Sequence, residues 1–402
     1  MLAASLAASV VPAVLAQAQE SAWRELRDED FVLRARLPAG EVDAIACDLR
    51  RAAHALHTGM PEAFASGEWP GVFAVSGTRE TRELLPQYWE GIRARPTGAS
   101  WSGPHGHHIV VRVDVEAQER QRRILHEYAH FATRRADENP PVWLEEGLAE
   151  FWEATTFAGD EMAVGGPVER HLRVLRRKKW MPMDRLLSAA AVPSDTEGST
   201  LFYAQSWALV HYLASEASGP TRVDDIGAVA AGVTEGQLKG YVTDRLPDAE
   251  ARSLEVPRDL CNGASSRRVL TETESLVFRA RAVADGERPD AAAPLLHRAL
   301  ALQPDSPEAL EVLGFVHFAG NRPKEAAAAF DRVIASGAAS HLGYYYRALL
   351  AGAVPERGGG AGPVPVLEYL RRAVRLNPAF APARERLRAL EGKFDVEERS
   401  RL

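Results

Sequence analysis

The stretch at 124–153, ILHEYAHFATRRADENPPVWLEEGLAEFWE, constrains this chain more than any other. His126 and His130 lie four residues apart, with Glu127 between them. A helix projects positions i and i+4 from one face, about one turn apart. The residues before the motif are charged and free of proline, and the apolar residues within it follow helical spacing, which predicts a helix. Two imidazoles are therefore expected side by side on one helix face, where both could bind one zinc ion.

A second helix is predicted after the double proline at 140–141, because proline is tolerated in a first helical turn. Glu146 and Glu150 lie four residues apart on it, and either carboxylate could complete a zinc site. The residues between the two helices are enough for a turn that folds the second helix back against the first. The alternative is that the histidines are ordinary helix residues and that the acidic run is a solvated face.

HEYAH followed by WLEEGLAEF resembles the gluzincin group of zinc metallopeptidases. The resemblance implies Zn²⁺ as the cofactor, a peptide or protein substrate, and these site residues: ligands His126, His130 and Glu146, with Glu127 as general base. Glu146 is preferred over Glu145 because it immediately precedes Gly147. Glu150 would be an outer carboxylate that orients one imidazole.

The metzincin group would need a third histidine at position 136, which is alanine, so that alternative fails. No GxMEN-type sequence precedes the motif, and aminopeptidase specificity is therefore unsupported. An endopeptidase is the expected activity.

A second match is LFYAQSWALVHYL at 201–213, which resembles the gluzincin helix that carries a tyrosine facing the metal. Tyr203 occupies that position and could donate its hydroxyl to the oxyanion of a tetrahedral intermediate. The alternative is a core aromatic on an amphipathic helix. His211, two turns further, is expected to be structural.

Composition narrows the possible partners and compartments. The net charge of −7, without a dense basic patch, argues against a general nucleic-acid binder. The apolar segment at 1–18 ends in Ala-Gln-Ala and resembles a signal peptide, and it is too short for a stable membrane span. Export to the periplasm or medium is expected, with a cytoplasmic protein as the alternative. Cys47 and Cys261 could pair, but the sequence leaves this open.

The predicted fold class is α+β: a zincin-like domain at 21–255, with a small mixed sheet and a helical half, then an all-α repeat domain at 273–392. A linker at 256–272 would join them. Strands are predicted at 31–37, 69–77 and 107–115, and the last could present an edge to an extended peptide. A helix is predicted at 42–57, and 156–198 is expected over or beside the cleft.

The tail repeats itself. LLHRALALQP at 295–304 aligns with AFDRVIASGA at 329–338, and less closely with YLRRAVRLNP at 369–378 after an insertion through 358–362. The period of 34 between the first two resembles tetratricopeptide helix pairs, which would dock a protein partner or substrate. The alternative function is therefore an interaction scaffold in which the zincin-like domain is catalytically idle.

Overall fold

The described part of the chain falls into two compact units. The computed structural model describes residues 22–65, 69–89, 96–216, 226, 229–353 and 363–399. Of the described residues, unit 1 contains 22–65, 69–81, 96–101, 106–216, 226 and 229–269, and unit 2 contains 82–89, 102–105, 270–353 and 363–399. The predicted signal segment at 1–18 and the insertion at 358–362 lie outside the described residues.

A six-stranded mixed sheet and a three-stranded sheet provide the β structure. The strands are β1 (Arg24–Arg27), β2 (Val32–Ala35), β3 (Gly71–Val75), β4 (Gly98–Gly103), β5 (Gly106–Arg112), β6 (Thr156–Ala158), β7 (Glu161–Val164), β8 (Arg252–Glu255) and β9 (Ser266–Val269). The larger sheet has the order β4-β5-β3-β2-β1-β9, and the smaller has the order β6-β7-β8. The pairs β2–β3 and β3–β5 are parallel, whereas β1 is antiparallel to both β2 and β9.

Helices cover one face of the larger sheet and build the rest of unit 1. Among the described residues, the helices that begin before residue 270 include α1 (Ala39–Gly59), α2 (Gly77–Leu84), α3 (Ala117–Ala136), α4 (Val142–Glu153), α5 (Glu169–Arg177), α6 (Met183–Leu187), α7 (Thr196–Glu216) and α8 (Glu235–Asp244). Leu49 of α1 and Tyr128 of α3 lie in one core with Leu33 and Val72 of the sheet. The predicted mixed α/β character of this part is confirmed.

The segment at 156–198 folds into β6, β7, α5 and α6. β7 pairs with β8, so that the end of the predicted domain packs back on this segment. Helix α5 packs against α7, and it brings Arg170 and His171 to carboxylates of α4.

The linker predicted at 256–272 is largely part of unit 1. β9 pairs with β1, and Cys261 forms a disulfide with Cys47 of α1. The buried Arg50 donates to the carbonyl oxygens of Cys261 and Gly263 at 2.7 and 2.9 Å. Sequence patterning missed β9 because all four of its residues, SRRV, are exposed and give no alternation of apolar and polar side chains.

Unit 2 consists mainly of helices in which consecutive members pack against each other. They are α9 (Glu272–Ala284), α10 (Ala293–Leu302), α11 (Pro307–Ala319), α12 (Pro323–Ala335), α13 (His341–Ala353), α14 (Pro363–Leu376) and α15 (Ala381–Arg399). Capping residues fix where α9 and α11 begin: the side chains of Thr271 and Ser306 accept backbone N–H groups of the first turn. A Cβ on Gly314 would lie 2.8 Å from the ring of Phe330, so glycine permits the close contact of α11 with α12.

The helices of the described part include none that combines the length and the apolar character needed to cross a bilayer. The apolar side chains of α7 pack into the core of unit 1.

Candidate metal centre

Two neighbouring helices carry the predicted ligands. His126, Glu127 and His130 lie on α3, and Glu146 lies on α4. The connection between the helices holds the double proline, and Pro141 is the N-cap of α4. A Cβ on Gly147 would lie 2.6 Å from the backbone oxygen of Ser206, so glycine allows α4 to pack closely between α3 and α7.

The three predicted ligand atoms converge. The distance from His126 Nε2 to His130 Nε2 is 3.2 Å, and Glu146 Oε2 lies 4.0 and 3.6 Å from these two nitrogens. Two ligand atoms that each lie about 2.1 Å from a zinc ion at tetrahedral angles are roughly 3.4 Å apart. The arrangement therefore has the spacing of a three-ligand site that could hold one metal ion.

Two carboxylates lie within hydrogen-bond distance of the Nδ1 atoms of the two imidazoles. Glu153 Oε2 lies 3.0 Å from His126 Nδ1, and Glu145 Oε1 lies 3.1 Å from His130 Nδ1. When Nδ1–H donates to a carboxylate, the lone pair of Nε2 is left for a metal. The sequence pattern did not predict either contact, although Glu153 lies seven residues after Glu146, two turns along the same face of α4.

Glu150 does not make the contact predicted for it. Its Oε2 lies 2.8 Å from Nε2 of the buried His171, and it also pairs with Arg170. The contact to an imidazole of the motif belongs to Glu153 instead. The expectation for Glu150 is corrected for a geometric reason: the site lies toward the side of α4 that Glu146 and Glu153 share, and α5 supplies other partners for Glu150.

Glu146 differs from the other carboxylates of α4 in its charged partners. Its neighbours are paired with guanidinium groups: Glu145 with Arg134, Glu150 with Arg170, and Glu153 with Arg122 and Arg170. Within the described residues, Glu146 forms ion pairs with the two imidazoles alone. A second group with suitable spacing, His126 with Glu150 and Glu153, already has its carboxylates neutralised by arginine. The first group is therefore the better candidate for a cation.

The electrostatics favour positive charge between these side chains. Burial alone would lower the pKa of His126, but the hydrogen bond with Glu153 and the charges of Glu127 and Glu153 raise it to about 10. Burial alone would raise the pKa of Glu153, but the hydrogen bonds and charges of His126 and Arg122 together lower it. A proton or a metal cation can supply the positive charge that this cluster of carboxylates stabilises.

Glu127 is buried beside the site, with 8% of its surface exposed. Burial raises its pKa, and the two neighbouring imidazoles only partly oppose this effect. The backbone of β4 lies directly against it, since a Cβ on Gly98 would be 2.6 Å from Glu127 Oε1. β4 is one of the two edge strands of the larger sheet, whereas β5, which covers most of the strand predicted at 107–115, lies inside the sheet. Sequence patterning missed β4 because GASWSG has no apolar alternation.

Tyr203 lies on α7, the helix that packs against α4, and is half-buried. Its role at the oxyanion stays a prediction.

His211 has the structural environment that the sequence suggested: its Nε2 and Nδ1 lie 2.7 Å from the carbonyl oxygen of Gly165 and the hydroxyl of Tyr241. Burial lowers the pKa of His211, which favours the neutral ring.

Two family models match parts of the chain. A family described as a protein of unknown function (DUF1570) matches residues 122–221, a range that spans α3, α4 and α7. The tetratricopeptide repeat matches residues 283–351, which confirms the repeat predicted in the tail. No curated protein matches the chain. The matched families carry no enzymatic description, and the centre on α3 and α4 is thus defined by its geometry.

Proposed function

We propose that this protein is a zinc-dependent peptidase of the gluzincin type. The observation that carries the proposal is the convergence of two imidazole nitrogens and one carboxylate oxygen within 4.0 Å of one another. His126, His130 and Glu146 would hold Zn²⁺ and leave a fourth position open for water or substrate. The mixed sheet, the motif helix beneath it and the edge strand beside Glu127 support a zincin-like fold for unit 1.

The residues divide the chemistry between them. Bound zinc would polarise the scissile carbonyl and lower the pKa of water toward about 7. Glu127 would accept the proton of the attacking water and pass it to the leaving amine. Tyr203 would donate a hydrogen bond to the oxygen on which negative charge develops. Glu153 and Glu145 would keep both imidazoles in the tautomer that binds metal.

The substrate would be an extended peptide or protein segment. β4 is an edge strand whose backbone reaches Glu127, so a peptide paired with β4 would pass beside the general base. Backbone pairing with an edge strand supplies affinity with little dependence on sequence, which suits an endopeptidase.

We also propose that the protein is exported. The disulfide between Cys47 and Cys261 supports this, because disulfides persist in oxidising compartments.

Zinc content and cleavage of unfolded casein test the function. We expect about one zinc per chain and chelator-sensitive cleavage. Glu127→Gln should keep the metal and lose nearly all turnover, because the amide cannot accept a proton. His130→Ala should lose the metal. Glu138→Gln, a matched change at an exposed position of the connection between α3 and α4, should alter neither. Full activity in Glu127→Gln would exclude the assigned base.

The second candidate function is an interaction scaffold, favoured by the tetratricopeptide repeat at 283–351. Stacked repeats present extended surfaces to protein partners. A purified protein that binds no zinc and cleaves no casein, yet captures a partner through unit 2, would favour the scaffold. In the peptidase, the same repeats would dock substrate proteins.

A further inference from the structure

Arg134 connects a predicted zinc ligand to the edge strand. Its Nη2 lies 2.6 Å from Glu145 Oε1, and the same oxygen lies 3.1 Å from His130 Nδ1. Its Nη1 donates to the carbonyl oxygen of Ser100 in β4 at 2.7 Å. One guanidinium thus bridges the carboxylate behind an imidazole and the backbone of the strand that lies along Glu127.

The carbonyl of Ser100 belongs to the open side of β4. The backbone N–H of Arg112 in β5 donates to the carbonyl of Thr97 at 2.9 Å, so Thr97 faces β5. Backbone groups of successive residues point to opposite sides of a strand. Gly98 and Ser100 therefore direct their N–H and C=O groups away from β5, where an added strand would pair.

Arg134 occupies one of these pairing positions. The N–H of an added strand would have to lie about 2.9 Å from the carbonyl of Ser100 to bond with it. The guanidinium already donates to that oxygen at 2.7 Å, so an added strand would have to share or displace this hydrogen bond. Among the described residues no strand pairs with this side of β4, so a peptide could pair with Gly98, next to Glu127.

Arg122 offers a natural comparison. It pairs with Glu153, which holds His126 in the way that Glu145 holds His130. The side chains of Arg122 and Arg134 have similar exposed fractions, 34% and 28%. Each arginine therefore pairs with a carboxylate that contacts an imidazole, but the hydrogen bond to β4 described above is made by Arg134.

We propose that Arg134 is a specificity-determining residue that caps the peptide-binding edge of β4 at Ser100. Backbone pairing then ends there, and substrate residues beyond this point add no affinity. The proposal rests on the peptidase function proposed above, and it defines the substrate as an extended peptide held over a short length on one side of the scissile bond.

The test is peptide binding in the Glu127→Gln background, so that no cleavage occurs. The probe is a nested series of fluorescein-labelled casein-derived peptides that lengthens by one residue at a time from either end, with binding followed by fluorescence anisotropy. The comparison variants are Arg134→Lys, Arg134→Met, Arg122→Lys and Arg122→Met. Zinc content and thermal melting establish that each variant is folded and loaded.

In the Glu127→Gln protein with Arg134 intact, peptide affinity should stop rising with peptide length once the peptide extends past Ser100, where Arg134 bonds to β4. In both Arg134 variants it should rise further with length, by about three- to tenfold for the longer peptides, the value of one additional hydrogen bond. Arg122 variants should keep the parent's length profile, whatever their zinc affinity.

Two results would overturn the inference in distinguishable ways. If affinity rises with peptide length in the same way in the parent and in the Arg134 variants, Arg134 does not cap β4, and the proposed peptidase function is unaffected. A zinc-loaded parent that binds none of the peptides would contradict the proposed function, and the cap with it.

Discussion

At the scale of single residues, the position of a carboxylate on α4 determines which side chains it contacts. Four glutamates occur within nine positions of one helix, yet their contacts differ. Glu145 and Glu146 lie at opposite ring nitrogens of His130, whereas Glu150 contacts His171 and Glu153 contacts Nδ1 of His126. The helix rotates about 100° per residue, so carboxylates a few positions apart face α3, α5 or the space between them. A spacing rule alone therefore cannot assign the residue that holds a given imidazole.

The assignment of Glu153 rather than Glu150 leads to a prediction on metal affinity. Glu153→Gln should weaken zinc binding by roughly 10- to 100-fold, because His126 loses the charged partner of its Nδ1. Glu150→Gln should have a smaller effect, since that carboxylate holds His171 and Arg170. Competition with a chelator of known zinc affinity measures both variants. The opposite ranking would return the role to Glu150.

At the scale of elements, glycine sets how closely helices approach. The contact of α4 with α7 depends on Gly147, where a Cβ would lie 2.6 Å from a backbone oxygen that cannot rotate away. The sequence indicates this glycine through its place beside Glu146, but the backbone that it contacts is 59 positions further along the chain. Only the packing of the two helices reveals the contact.

Gly147→Ala should therefore destabilise unit 1 by about 1–3 kcal/mol through overpacking, and lower zinc affinity as α4 shifts. Gly240→Ala is the matched control, because α8 has nothing within 4 Å of a Cβ at that position. It should raise stability by up to about 1 kcal/mol through helix propensity. Urea unfolding measures both changes. Equal effects in the two variants would contradict the packing role of Gly147.

At the scale of the whole molecule, one covalent bond closes a long loop. Cys47 and Cys261 are separated by 214 residues, and their disulfide joins α1 to the segment that leads into β9. A crosslink restricts the unfolded chain more strongly when the loop is long. The bond therefore contributes to holding β9 on the edge of the sheet.

Replacing both cysteines with serine should lower the free energy of unfolding by roughly 2–5 kcal/mol. Urea unfolding of the oxidised protein and of the double variant measures the difference. A reductant should bring the wild type down to the stability of the double variant and leave the double variant unchanged. Identical midpoints under oxidising conditions would show that the crosslink does not stabilise the native state.

The sequence by itself predicted the motif helix, the helix of Glu146, three strands of the mixed sheet and the tetratricopeptide repeat. Helical spacing and apolar alternation are local, so they can be read within a few residues of each feature. The strands β4 and β9 lack such alternation, and neighbouring strands define them instead.

Only the tertiary structure decided which side chains meet. The pairing of Cys47 with Cys261, the partners of Glu145, Glu150 and Glu153, and the hydrogen bond of Arg134 to β4 each join different elements of the chain. These contacts depend on the angles and distances between packed elements, which a local sequence pattern does not contain.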